Sequence, residues 1–306
     1  MRTFTISICT HNRLPELKRC LQSISLQDRL ADVREVLIVD NASSDGTREW
    51  VENEAMASFP IGLRVVEEPE LGLSKARNRA WSECETDVLI CLDDDVTLRP
   101  GFIEAHMRAF DRPGTVLTGG RVLASFPETA SHEIRALFDV PYGGPAAGYD
   151  FGEEPQSIGL AAGELQHVPV GANFGYLRSA LDGPKPFNEA IGWGKRWIPG
   201  EESEVFLGLI RDGQVAWYVP GAIVDHHLNQ DRLTVDYYLK WWLGQGRSEI
   251  YTRRWKSLWS KIYVSVTEYL VLTARLGWTR NDVARHQIQG QRARAQGRLF
   301  EAMGWD

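Results

Sequence analysis

From residue 4 to residue 95 the chain alternates short, β-branched apolar runs with stretches whose apolar residues recur at helical spacing. Strands read at Phe4 to Thr10 ("FTISICT"), Glu35 to Asp40 ("EVLIVD"), Leu63 to Glu68 ("LRVVEE") and Asp87 to Asp93 ("DVLICLD"). Helices read between them at Leu14 to Gln27, Asp45 to Met56 and Leu73 to Cys84, with Ser44 placed to cap the second. Parallel strands need a crossover of a dozen or more residues, which these helices supply, so the pattern predicts an α/β fold with a largely parallel sheet covered by helices.

In such a sheet, ligands bind outside the carboxyl ends of the strands. The first strand ends in Thr10, His11 and Asn12, the second in "DNASSDGT" from Asp40, and the fourth in Asp93, Asp94 and Asp95. The aspartate triplet is costly by itself: at an effective dielectric of ~20, adjacent like charges repel by roughly 3 to 4 kcal/mol per pair. A bound cation would relieve that cost. Mg²⁺ and Mn²⁺ take oxygen ligands and are commonly held by one or two carboxylates together with substrate phosphates. Neither G-x-G-x-x-G nor G-x-x-x-x-G-K-[ST] follows the first strand, which excludes the dinucleotide-binding and P-loop readings.

Composition narrows the class further. The 306 residues are 43% hydrophobic and 25% charged, ordinary for a globular chain. The start "MRTFTISICTHNR" lacks the features of a secretory signal, and Cys9, Cys20, Cys84 and Cys91 have no CxxC spacing, so reduced thiols and a cytoplasmic location are expected. The net charge of -7 hides an asymmetry: from Arg232 to Arg298 there are thirteen Lys and Arg against four Asp and Glu. Because that basic stretch is confined to the tail and no recognised binding module is present, no nucleic-acid partner is expected.

The segments "SICTHNR", "VDNASSDGT", "GLSKARNRA" and "LDDDV", in this order and spacing, resemble family-2 glycosyltransferases of the GT-A fold. The likeness continues through "VGANFGYLRSAL", "GEESEVFLGLIRDG" and "WYVPGAIVDHH", over about three quarters of the chain. It implies inverting transfer of a sugar from a nucleotide-diphosphate donor, UDP- or dTDP-linked, to a hydroxyl acceptor on a glycan or lipid carrier. It places the D-x-D pair on Asp93 and Asp95, with Asp95 as the direct Mn²⁺ or Mg²⁺ ligand and Asp93 on metal or ribose. Asp94, which alternation would send to the other side, is a nucleotide-site candidate or a cap for the following turn. It also implies donor contacts from Thr10, Asn12, Asp40 and Arg77, with Lys75 and Arg79 as weaker candidates, and a metal-shell histidine at His226 rather than His227. Where the family usually carries Glu-Asp after a glycine, this chain has Gly200, Glu201 and Glu202. Glu202 stands at the catalytic-base position with Glu201 as the alternative. Helical spacing puts Glu201 and Glu204 on a face apart from Glu202, so only one set is expected to reach the acceptor.

The chain divides into a nucleotide-sugar half (1–125), an acceptor half (126–231) and a helical extension (232–306). Phe126 to Gln166 reads as a long Gly- and Pro-rich loop beside the site. Trp193 and Trp197, ahead of the glutamates, suit sugar stacking and plain packing equally. In the tail, Ile262 to Leu276 is too short and too interrupted to span a bilayer. Its basic and aromatic residues suit an anionic membrane surface at the inner face, pairing with a second subunit, or packing on the catalytic domain. Two other functions share these features: a catalytically silent relative that binds nucleotide or scaffolds a complex, and a sugar nucleotidyltransferase.

Overall fold

The computed structural model describes residues 2–161, 164–166, 168–181, 183, 185–194, 197–252 and 257–305. Its first half runs β1 (Phe4–Thr10), α1 (Leu14–Ser25), β2 (Val33–Asp40), α2 (47–58, with a π-helical turn at Val51–Ala55), β3 (Gly62–Glu67), α3 (Leu73–Glu83) and β4 (Val88–Asp93). The four strands lie parallel in the order β3-β2-β1-β4. Both faces of the central strands are covered: in β1 Ile6 and Ile8, which face one side, and Thr5 and Ser7, which face the other, are all buried. Helix α1 turns Leu17, Cys20, Leu21 and Ile24 inward, the i, i+3, i+4, i+7 stripe that covers a sheet face.

The second half adds β5 (Val96–Leu98), α4 (Phe102–Asp111), β6 (Thr115–Ser125), α5 (His132–Phe138), β7 (Tyr142–Gly143), β8 (Gly148–Tyr149), β9 (Gln156–Ala161), β10 (Glu164–Gln166), β11 (Asn173–Leu177), α6 (Glu201–Arg211) and β12 (Val215–His227). These strands extend the same sheet to the order β10-β9-β12-β6-β11-β4-β1-β2-β3. The parallel expectation holds for β1 to β4, but β11 enters antiparallel to both β4 and β6. The fold is the expected mixed α/β type, and the sheet is continuous across residue 125.

Two local expectations are corrected. Ser44 does not cap α2: its backbone N–H and its hydroxyl donate to Asn12 Oδ1 at 2.7 and 3.3 Å. Gly46, at φ +83°, supplies the left-handed turn that precedes the helix, and Asp45 Oδ1 accepts from the N–H and the hydroxyl of Thr47 at 3.2 and 2.6 Å. The segment 126–166 is not a structureless loop, since it holds α5, the β7–β8 hairpin and β9. Ser131 caps α5 by accepting from the Ile134 N–H, and Leu137 and Phe138 enter a second core with Leu228, Leu233 and Tyr238. A seven-residue helix and two-residue strands are too short to write a period into the sequence.

The tail folds as α7 (Val235–Thr252), α8 (Leu258–Leu276) and α9 (Asp282–Met303). Helices α7 and α9 approach at glycines: a Cβ on Gly297 would lie 1.9 Å from the Leu243 carbonyl oxygen, and one on Gly246 1.9 Å from that of Arg294. Arg298, 1% exposed, ties the three helices together by donating to Glu249 at 2.8 Å and Glu268 at 2.5 Å. Among the described residues, no helix is long and apolar enough to cross a membrane. The four cysteines are free, and three of them are buried.

Candidate active site

Register puts the polar residues on one rim. Thr10 pairs with Asp40, and Cys9 pairs with Asp93 at the end of β4, so the carboxyl ends of three parallel strands meet at the same level. A cavity of about 640 Å³ opens there, large enough for a nucleotide-sized ligand. Its lining takes in Thr10, Arg77, Asp93, Asp94, Asp95, Glu201, Glu202 and His226. Asn12 and Asp40 stand outside the lining. Both do turn work: Asn12 ties the loop after β1 to Ser43 and Ser44, and Asp40 Oδ1 accepts from the Ser43 N–H at 3.2 Å. Asn41, one residue on, lines the cavity instead.

The aspartates separate because β4 ends at Asp93 and the chain turns through Asp94 and Asp95 into β5. Asp94 is not a turn cap. It is 3% exposed, accepts from the Thr10 hydroxyl at 2.7 Å and pairs with Arg13 at 2.8 Å. Asp95 pairs with the same Arg13 nitrogen at 2.7 Å and lies 3.3 Å from His226 Nε2 and 3.5 Å from Arg232. Burial lifts Asp94 to about 7 despite Arg13. Burial also opposes ionisation of Asp95, yet His226 and Arg13 outweigh it and hold Asp95 well below the usual carboxylate range. Asp93 is raised, by burial first and by Asp95 second. His226 shows the converse: burial disfavours its charged ring, but the charge and hydrogen bond of Asp95 lift it to about 9.

Arg77 is a buried hub, 3% exposed, rather than a helix-surface residue. It pairs with Glu201, lies 3.3 Å from Glu202 and 3.7 Å from Asp93, and sits over the Phe174 ring. Gly200, at φ +96°, turns the chain into α6, and the first two glutamates of that helix converge on this one guanidinium. The expected split between a Glu201/Glu204 face and Glu202 therefore fails: Glu201 and Glu202 line the cavity together, and Glu204 does not. Both carboxylates meet the same Arg77 nitrogen, Glu202 at 3.3 Å, although they are adjacent in the helix. Glu201 is 1% exposed, and its Oε2 has no hydrogen-bond partner. Burial and the neighbouring Glu202 charge push it up to about 8, against the pull of Arg77.

Lys75 and Arg79 pair with Glu70 and Glu83 and stay off the cavity lining. Strand alternation in β12 sends His227 to the opposite face, where its Nε2 lies 2.8 Å from the Thr97 hydroxyl. Trp193 and Trp197 line the cavity edge to face, 4.3 Å between centroids, and Lys240 lies over the Trp197 ring. Arg13, Arg232, Tyr142 and Tyr237 also line it and were not singled out from sequence. Arg13 had a signal, since it directly follows the polar end of the first strand. Arg232 and Tyr237 had none.

The side chains present fit a divalent ion. His226 Nδ1 lies 2.8 Å from the Ala146 carbonyl, which can only accept, so Nδ1 carries the proton and Nε2 is aimed at Asp95. Asp95 Oδ1 is buried without a hydrogen bond of good geometry. Cis ligands of an octahedral ion lie about 3 Å apart, close to the 3.3 Å seen here. Among the described residues, no third His, Cys, Asp or Glu completes a protein-only cluster. The remaining ligands would have to come from substrate.

A mixed sheet with this order, carrying acids at the carboxyl rim and on a facing helix, is the GT-A architecture. Residues 5–182 match Glycosyl transferase family 2, and the chain belongs to that family. The glycosyltransferase AglE of Haloferax volcanii is 27% identical over 123 residues, 40% of this chain and 40% of that protein. The pre-mycofactocin glycosyltransferase of Mycobacterium tuberculosis is 27% identical over 226 residues, 74% of this chain and 43% of that protein. The chain thus spans about two fifths of the length of these curated relatives. Among solved structures, the mannosyltransferase PcManGT from Pyrobaculum calidifontis, in complex with GDP-Man and Mn²⁺, superposes with a TM-score of 0.62 at 16% identity, covering 98% of this chain and 86% of that one.

Proposed function

We propose that the chain is an inverting glycosyltransferase that moves a sugar from a nucleotide-diphosphate donor, UDP- or dTDP-linked, to a hydroxyl of a glycan or lipid-linked acceptor. The observation that carries this reading is the meeting of Asp93, Asp95 and His226 with Glu201 and Glu202 in one cavity at the strand ends. Asp95 and His226 would hold Mn²⁺ or Mg²⁺, which when bound neutralises the charge that develops on a departing diphosphate. The family membership and the Mn²⁺ and GDP-Man named for the Pyrobaculum structure support this reading.

The chain's own groups divide the work by environment. Arg77 keeps Glu201 and Glu202 side by side at the mouth of α6. With Glu201 protonated up to about pH 8, Glu202 is the base that takes the acceptor hydroxyl's proton as that oxygen attacks the anomeric carbon. Attack opposite the leaving diphosphate inverts the configuration. Thr10 orients Asp94 through its hydroxyl, and Arg13 bridges Asp94 and Asp95 so that the rim keeps its shape before the donor arrives. Trp193 and Trp197 wall the acceptor side and exclude water from the reacting centre.

Calorimetric titration of UDP, dTDP and GDP, with and without Mn²⁺, tests the reading in wild type, Asp95→Ala and Glu202→Gln. Asp95→Ala is expected to abolish metal-dependent binding. Glu202→Gln is expected to keep it while removing transfer. Equal metal-dependent affinity in wild type and Asp95→Ala would sink the assignment, and Glu202→Gln with full transfer would sink the base.

A further inference from the structure

Helix α8 turns an apolar face to the outside. Trp259, Tyr263, Val266 and Leu270 recur at intervals of four, three and four, so at 100° per residue they form one line along the helix, with Val271 to one side and Trp278 just past the helix end. Trp259 is 78% exposed, Tyr263 71%, Leu270 60% and Trp278 88%. From Trp259 to Leu270 the line runs about 17 Å, and large side chains turned outward over that length are far more than the scattered exposed apolar residues of an ordinary surface. The helix interior is equally informative: the hydroxyls of Ser265, Thr267 and Thr273 donate to the carbonyls of Lys261, Tyr263 and Tyr269. Those three hydroxyls are therefore satisfied by the helix's own backbone, and the exposed line carries one phenol, that of Tyr263. Glu268, the one acid of the helix, turns in to pair with Arg298 on α9.

Among the described residues at the edges of this face, cations outnumber the acids Glu268 and Asp282. Arg275 borders it beside Val271, and Arg280 and Arg285 follow at its carboxyl end. In the sequence, Arg253, Arg254 and Lys256 precede it. A second copy docking through the same face would set these cations against one another, because an isologous contact meets itself and, with Glu268 paired to Arg298, the cations outnumber Asp282. An anionic lipid surface answers both features: its interface accepts tryptophan and tyrosine bodies, and its headgroups attract the flanking cations. We propose that α8 lies in the plane of an anionic membrane, with Trp259 and Trp278 as its end anchors and Arg275 and Arg280 at the headgroups. This surface lies outside the cavity lining and stands whether or not the cavity transfers sugars.

Co-sedimentation of the full chain with vesicles of pure phosphatidylcholine and of equimolar phosphatidylcholine and phosphatidylglycerol tests the proposal, at low and high salt. Binding to the mixed vesicles is expected, weakened by salt and by the loss of phosphatidylglycerol. Leu270→Glu and Tyr263→Glu, both on the exposed line, should each lower the partition by about tenfold or more while thermal unfolding stays within a few degrees of wild type. Arg275→Glu should weaken binding at low salt and have little effect at high salt. No binding to the mixed vesicles, or binding that Leu270→Glu leaves unchanged, overturns the proposal. So does a concentration-dependent dimer in sedimentation velocity that Leu270→Glu dissolves, since a second copy would then be the occupant. Titration of a nucleoside diphosphate with the same variants separates this surface from the cavity, and it should be unchanged in each.

Discussion

Replacing Glu201 with glutamine should stabilise the protein at pH 8, although it removes one partner of a buried ion pair. Three carboxyl groups, those of Asp93, Glu201 and Glu202, surround the single guanidinium of Arg77. Glu201 is the most deeply buried of the three, and its Oε2 has no partner. In the folded chain it titrates at about 8, whereas an unfolded glutamate titrates near the ordinary value of about 4.3. The folded state therefore holds a proton that the unfolded state has released. The resulting stability is fully present below about pH 4.3 and is lost as pH rises through about 8. At about 1.4 kcal/mol per tenfold change in proton affinity, the loss amounts to about 3–5 kcal/mol. Glutamine is neutral throughout, keeps an oxygen for Arg77, and should lack this component. Urea unfolding followed by circular dichroism at pH 5.5, 7 and 8.5 reads the difference between the two proteins, which cancels the slopes from Asp94 and His226 that both share. The curves should lie closer together at pH 5.5, with glutamine gaining on wild type by at least about 2 kcal/mol between pH 5.5 and 8.5. A variant that instead loses ground as pH rises would show that Glu201 is ionised, and the assignment of Glu202 as the sole base would fall with it.

His226→Asn should remove metal-dependent nucleoside diphosphate binding, measured by titration with Mn²⁺. It should also flatten stability between about pH 6.5 and 9, because a histidine raised to about 9 lends stability that is present below its ordinary value and lost as pH rises through the folded one. The glycines make a paired test of close packing. A Cβ on Gly297 would meet a backbone carbonyl at 1.9 Å, so Gly297→Ala should cost about 1–3 kcal/mol in urea unfolding, or more if α7 and α9 separate. Gly208 lies in α6 with nothing within 4 Å of such a Cβ, and Gly208→Ala should stabilise by about 0.5–1 kcal/mol. Equal effects at the two positions would mean that the helix contact is looser than described.

Most of the rim was legible in the sequence because its residues lie where apolar strand patterns stop. Asp93, Asp94 and Asp95 end the most apolar run in the first half, and their shared charge demanded a partner whatever the fold. What stayed hidden arrives from far along the chain. Arg232 reaches Asp95 across more than a hundred residues, and Tyr142 and Tyr237 reach the cavity from segments with no motif. Asn12 and Asp40 show another limit: an amide or acid at a strand end suits a turn and a ligand equally, and only the direction of the side chain decides. Strand direction was hidden for a related reason. Asn173–Leu177 is a buried five-residue run between two parallel segments, and its pattern is the same whichever way it enters the sheet.

The charges at the rim explain why one proton belongs to the folded site. Five carboxyl groups, Asp93, Asp94, Asp95, Glu201 and Glu202, share four cationic partners, Arg13, Arg77, Arg232 and His226. Those partners come from the loop after β1, from α3, from the segment before α7 and from β12, so the acids fasten the two halves of the sheet across the cavity. A buried like-charge excess is relieved by protonating the group with the least compensation. Glu201 is that group: it is the deepest of the five, and it shares its cation, Arg77, with Asp93 and Glu202. The same excess links the site's chemistry to its stability: removing a cation raises the proton affinity of the carboxyls around it, and removing an ionised carboxyl lowers that of its neighbours. Substitutions at Arg13 or Arg77 should therefore shift the pH profile of transfer as well as its rate, whereas substitutions on the outer face of α8 should shift neither.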